Sequence, residues 1–234
     1  MGGYDRSSTM FSPEGRLYQV EYALEAVRRG TLAIGIKSKN GAVLAVRKKG
    51  SSPLVDPNSI QKIFKVDEHI GCAISGLHAD SRVLVDYARI LCQNNRLSYD
   101  EPVRLRTLVR RLSDIKQQFT QSAGARPFGS GLLFIAVDPD GLAQCMTTSP
   151  SGVYWSWKAT AMGTNEEQAK NILKENYKED LTLDDLMKLS LKVQKECAEE
   201  PITADTVQIA YISAADRAFL VTDDAKNKEI IAKL

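Results

Sequence analysis

The pattern that most limits this chain is the order of its strand-like and helix-like stretches, which arrive in blocks and not in alternation. Leu17, Val20, Leu24 and Val27 fall at helical spacing, and Arg28, Arg29 and Gly30 close that helix at its negative end. Strands follow over Thr31–Lys37 and Ala42–Arg47, joined by Lys39-Asn40-Gly41, an Asn-Gly hairpin signal. Lys62–Val66 and Ile70–Ser75 give two more. Two helices come next. The first presents Val83, Tyr87, Ile90 and Leu91 on one face; the second starts at Asp100-Glu101-Pro102 and carries Leu105, Leu108, Leu112, Ile115 and Phe119. Strands resume over Leu132–Val137, Leu142–Met146 and Val153–Thr160, with turns at Asp138-Pro139-Asp140-Gly141 and Ser149-Pro150-Ser151-Gly152. Helices over about Asn165–Lys178 and Leu183–Glu199, strands over Thr206–Ile212 and Ala218–Thr222, and a short charged tail complete the chain. Segregated blocks argue for an α+β fold and against a doubly wound parallel one. Two sheets face to face, each covered outside by a helix pair, would bury all the apolar stripes in a four-layer α-β-β-α sandwich.

Several functions are excluded early. The 31 basic and 29 acidic residues leave a net charge of +2, with no general pull toward nucleic acid or an anionic membrane. No apolar run approaches the ~18 residues of a membrane span. Cys72, Cys92, Cys145 and Cys197 have no CxxC spacing and read as small buried hydrophobes. With His69 and His78 the only histidines, neither a zinc site nor a Ser-His-Asp triad is expected. One helix face carries Arg104, Arg106, Arg110 and Arg111, but no aromatic residue interleaves with them, so it reads as a solvated or subunit-facing face.

The first thirty residues are unusual in kind. Residues 1–11 are polar and aperiodic, Ser12-Pro13-Glu14-Gly15 is a turn or a capped helix start, and the helix that follows runs into a strand at Gly30-Thr31. Three further features accompany this opening: Tyr4-Asp5-Arg6, the run Thr9 to Ala23, and Gly30-Thr31-Leu32-Ala33-Ile34-Gly35. With Ser59–Ile63, Ser75–Asp80, Tyr99–Pro102, Arg126-Pro127-Phe128-Gly129 and Lys158–Gly163, they resemble proteasome core-particle α subunits of archaeal type, related to the threonine-type peptidases. Each match alone is weak. Their joint order over residues 4–222 is specific. Ser149 stands where the family usually has Asp, a change that a turn tolerates.

The resemblance implies an N-terminal nucleophile (Ntn) hydrolase sandwich: a gate segment over 1–15, a ring helix over 16–30 and one sandwich domain over 31–234. It implies a heptameric ring stacked on β subunits that carry the catalysis, with no cofactor and no metal. The implied partners are other α subunits, β subunits, an ATPase or other activator with a docking C-terminal tail, and unfolded polypeptide; nucleic acid and membrane are not among them. The implied location is the cytoplasm, or also the nucleus in a eukaryote. Tyr4, Asp5, Arg6, Pro13 and Tyr22 match the gate; Gly30, Lys62 and Leu77 match the pocket for the activator's terminal carboxylate; Arg126, Pro127, Phe128 and Gly129 match the loop that narrows the pore. A lysine suits the carboxylate as a mobile point charge.

Two alternatives stand beside this reading. One is a threonine peptidase that processes itself at Thr31, with Lys62 as the tuning lysine; that chemistry needs a free terminal amine and an acid to orient the lysine. Arg47 occupies the position of that acid, and like charges would repel. The other is a stand-alone binding module that borrowed the fold.

Overall fold

Ten strands in two antiparallel sheets, covered outside by helices, make up the computed structural model, which describes residues 9–48, 54–56, 59–198 and 200–233. Helix α1 (Tyr18–Arg28) precedes β1 (Ala33–Ser38) and β2 (Gly41–Arg47), then β3 (Ile63–Asp67) and β4 (Ile70–Gly76). Helices α2 (His78–Tyr99) and α3 (Leu105–Gln121) follow, then β5 (Ser130–Val137), β6 (Ala143–Thr148), β7 (Tyr154–Ser156) and β8 (Ala159–Met162). Helices α4 (Glu166–Asn176) and α5 (Leu183–Glu196), strands β9 (Val207–Ser213) and β10 (Phe219–Val221), and helix α6 (Asp224–Ile231) end the described chain. The sheet orders are β10-β9-β2-β1-β8 and β3-β4-β5-β6-β7.

Three apolar layers hold the sandwich together, as the block pattern requires. Leu44, Val46, Leu133, Ile135, Ala210 and Ile212 fill the space between the sheets. Residues of alternate parity on the same strands face outward, as Phe134 and Cys72 toward α2 and α3, and Ile34 and Val43 toward α4 and α5. Both faces of β5 are therefore buried along all its eight residues. The four cysteines are buried and free, and burial pushes the Cys92 and Cys145 thiols up to about 12, where they stay protonated.

Four expectations need correcting. Val83, Tyr87 and Ile90 do not face the core: they are 54%, 41% and 54% exposed, and α2 instead buries Leu84, Val85, Ala88, Leu91 and Cys92. Two apolar stripes run along α2, and only tertiary packing chooses between them. On α3 the buried face continues from Leu112 to Lys116 and Thr120, while Ile115 and Phe119 sit toward the edge. The single strand expected over Val153–Thr160 is two, because the chain leaves one sheet after Ser156 and enters the other at Ala159. The charged tail is largely helix α6, capped by the Asp223 carboxylate, which accepts from the Lys226 amide, and anchored by Ile230 and Asn227.

The Asn40–Gly41 hairpin forms as expected, with Ser38 opposite Gly41. Ser12-Pro13-Glu14-Gly15 is a turn outside the helix: the Ser12 amide donates to the Arg16 carbonyl and the Gly15 amide to the Ser12 carbonyl. Ser149-Pro150-Ser151-Gly152 also remains a turn, with the Ser149 and Ser151 hydroxyls 2.7 Å apart.

Candidate functional site: the sealed end of the sandwich

Helix α1 lies across the ends of β4 and β5, burying Val20, Ala23 and Val27. Leu17 and Leu24 are half-buried, so most of the expected stripe is covered within the chain itself. The helix ends at a crowded junction. The Ser75 hydroxyl donates to the Val27 carbonyl at 2.9 Å, and the Thr164 amide donates to the Gly30 carbonyl at 2.8 Å. A side chain at Gly30 would collide with the Ser75 hydroxyl and the Gly76 amide. A side chain at Gly163 would press on the Gly30 and Thr31 carbonyls. Glycine is thus required at both positions by close backbone approach.

Thr31 begins the strand region inside this junction. In the full chain its nitrogen is an amide, and its hydroxyl is buried without a partner among the described residues. Arg47 pairs with Glu200 at 3.2 Å, and Lys62 has no ion pair with any described residue. Burial lowers the Lys62 pKa below the ordinary lysine range.

The residues expected from the resemblance to line a docking pocket and a pore loop converge on the end of β4. The Ile74 amide donates to the Lys62 carbonyl, which places Lys62 beside β4, and the His78 ring lies 2.6 Å from the Gln61 carbonyl. The Leu77 amide donates to the Gly129 carbonyl at 2.8 Å, and Leu77 is 47% exposed. At Gly76, φ +102°, a side chain would collide with the Gly129 carbonyl and crowd Val27 Cα. Gly30, Leu77 and Gly129 therefore form one cluster, with Lys62 immediately before the adjoining strand β3.

Asp80, given no role by sequence, is the hub of the loop. Its carboxylate accepts from both terminal nitrogens of Arg126 at 2.6 and 2.8 Å and from the Gly129 amide at 2.9 Å. These bonds, Arg126 foremost, hold its carboxyl below the usual range. The Ser81 and Ser130 hydroxyls meet at 2.7 Å behind it. Lys116, wholly buried, donates to the Ser130 carbonyl at 2.9 Å and the Thr148 carbonyl at 3.3 Å, and burial pushes its pKa down to about 7. Phe128 packs on Phe119 with ring centroids 4.6 Å apart. The one signal for Lys116 was its position four residues after Leu112, on the core stripe.

On the leader side, Tyr18 and Tyr22 stack at 6.5 Å, and Tyr22 is 55% exposed. Arg16 bonds Glu21 at 2.6 Å and lies over the Tyr18 ring. Pro13 is exposed in its turn. Tyr4, Asp5 and Arg6 lie outside the described residues.

Two facing antiparallel sheets between helix layers, with a threonine strand capped by the chain's own helix, define the class: a four-layer sandwich of the Ntn-hydrolase type. The chain belongs to the proteasome subunit family. The family model described as "Proteasome subunit" matches residues 27–212, and the N-terminal signature of A-type proteasome subunits matches residues 4–26. Among its relatives, the proteasome subunit alpha of Methanobrevibacter smithii is 48% identical over 93% of this chain and 86% of its own length. That of Methanothermobacter thermautotrophicus is 44% identical over 99% of this chain and 93% of its own. That of Saccharolobus islandicus is 45% identical over 96% and 94%.

Proposed function

We propose that this chain is a non-catalytic α-ring subunit of a proteasome core particle, which forms the gated axial pore, docks activator tails and templates ring assembly in the cytoplasm. Proteolysis is then carried out by β subunits, in ATP-dependent or ubiquitin-type degradation of unfolded polypeptide. The observation that carries this reading is the sealed junction at Gly30–Thr31. Releasing Thr31 as a terminal amine would remove α1 and with it Val20, Ala23 and Val27 from the core. The missing acid at position 47 argues the same way.

Gating follows from the leader. A short polar segment has low ordering energy, so small contacts shift it between ordered and disordered states. Tyr22, exposed on α1, offers a ring for the open form to pack on. Docking follows from the convergence of Gly30, Lys62 and Leu77. A half-buried lysine without an acidic partner among the described residues is poised for a terminal carboxylate, and a neighbouring subunit would complete the pocket. The exposed stripe of Val83, Tyr87 and Ile90 is the kind of apolar surface that a subunit contact covers.

Hydrolysis of a fluorogenic peptide by the complex assembled with a β subunit tests both parts. Removal of residues 2–11 raises basal hydrolysis severalfold, and Lys62→Ala abolishes stimulation by an activator while sparing the basal rate. Unchanged basal hydrolysis after truncation sinks the gate, and intact stimulation in Lys62→Ala sinks the pocket. Intact mass decides the peptidase alternative, since processing would remove residues 1–30.

A further inference from the structure

The second region of interest is a groove of about 1040 Å³ between α3 and the outer edge of the β3–β7 sheet. Thr107, Arg110, Arg111 and Asp114 line its helical wall at i, i+3, i+4, i+7 spacing. Met146, Tyr154 and Ser156 line the sheet side, and Trp155, 62% exposed, stands at the rim. Along the sequence no aromatic residue interleaves with the arginines; the fold brings Tyr154 and Trp155 across from them.

Charge in the groove is unbalanced. Arg104 is bound to Asp140 at 2.7 Å, and Asp138, whose carboxyl is pushed up by burial, caps the Leu105 amide at 2.8 Å. The side chains of Arg106, Arg110 and Arg111 have no hydrogen bond or ion pair with any described residue, and the exposed Asp114 carboxylate is the one remaining counter-charge of the helical wall.

The edge strand has a defined set of free backbone groups. Strand β7 ends its sheet and pairs only with β6. The Ser149 amide donates to the Val153 carbonyl, and the Trp157 amide to the Cys145 carbonyl. Those bonds fix the odd-numbered residues 153, 155 and 157 as the ones that face β6. By the alternation of an antiparallel ladder, the N–H and C=O of Tyr154 and Ser156 point outward along the groove. They have no partner among the described residues.

We infer that this groove binds an extended acidic segment of a partner polypeptide, added as a strand to the outer edge of β7. Its backbone takes up the outward groups of Tyr154 and Ser156, and side-chain carboxylates at alternate positions reach Arg110 and Arg111. A nucleic acid fits less well. The edge offers donors and acceptors in alternation, which a strand matches and a phosphate backbone, having no donors, does not. The inference does not depend on gating or on the docking of activator tails near Lys62, since the groove contains none of those residues.

The test is fluorescence anisotropy of the full chain, in its native assembly state, with a labelled heptapeptide of alternating glutamate and valine. Expected are saturable binding that weakens with salt, no binding of the lysine-for-glutamate peptide, and loss of about tenfold in affinity on Arg110→Glu with Arg111→Glu. A probe N-methylated at alternate residues loses a similar factor, which tests strand addition without touching the protein. Arg110→Gln with Arg111→Gln serves if the reversed charges impair folding. The proposal is overturned by absence of saturable binding, by equal binding of the N-methylated probe, or by tighter binding of an oligothymidylate. It is also overturned if the variants change the sedimentation of the protein while leaving peptide affinity intact, for then the edge is a contact between copies.

Discussion

At the end of β4 most strong polar groups, the Thr31 hydroxyl and the Lys62 ammonium excepted, find partners inside the chain, whereas along β7 and the outer face of α3 they are left unmatched among the described residues. The first region joins α1, β4, α2 and the 126–130 loop through Ser75–Val27, Leu77–Gly129, Asp80–Arg126 and Ser81–Ser130. The second presents two backbone pairs and three guanidiniums that have no partner among the described residues. Helix α3 belongs to both: Lys116 on its inner face is tied to Ser130, and Arg110 and Arg111 on its groove face are tied to no described residue. Burial makes the difference. An unmatched polar group costs little beside water and about 1–3 kcal/mol inside, so the pressure for internal matching is strongest at the sealed end.

The strongest way to break this contrast is to separate the sealed parts. Gly76→Val forces a side chain onto the Gly129 carbonyl at a backbone conformation that favours glycine, and is expected to cost about 3 kcal/mol or more of unfolding free energy by urea titration. An unchanged midpoint would mean that the loop is not locked to β4.

Asp80→Asn is the next largest change, expected to cost about 2 kcal/mol through lost charge-assisted bonds to Arg126 and Gly129. Because Arg126 and Gly129 lower the native pKa of Asp80, its contribution is present above the unfolded value of 3.8 and is lost as pH falls through the native one. The asparagine variant therefore has a flatter acid limb in a stability-versus-pH curve. A limb as steep as that of the parent chain would remove Asp80 from its place as hub.

Lys116→Met sharpens the comparison through an effect that depends on pH. The native pKa of Lys116 is about 7 and its unfolded value 10.5, so the unfolded chain holds more protons between these values. Stability then rises with pH across that window, by at most about 1.4 kcal/mol per unit, and is insensitive to this group below about pH 7. Methionine removes the slope. Persistence of the slope in the variant assigns it to another group and leaves Lys116 a simple tether.

Much of the layer order was legible in the sequence, since period-2 and period-3.6 patterns record which face of an element is apolar. The Asn40–Gly41 hairpin, the Pro13 turn and the helix closed by Gly30 are local events, decided by backbone preferences of a few adjacent residues. Val83, Tyr87 and Ile90 mark the limit of that reading. Their spacing is as helical as that of Leu84, Ala88 and Leu91, and nothing local says which stripe meets β3 and β4. Helix α6 escaped notice because its charged surface hides two anchoring residues, Asn227 and Ile230.

The sequence by itself determined the α+β block order, the capped threonine and the residue types available at the site. Tertiary structure alone decided that Gly30, Leu77 and Gly129 meet, that Asp80 ties Arg126 to α2, and that Lys116 is buried against Ser130. It also decided that the edge of β7 lies open beside Arg110 and Arg111. The reason is range: backbone preference and periodicity act within one or two turns of chain. Contacts between distant stretches of chain exist only after the sheets have stacked and fixed which strand ends lie together.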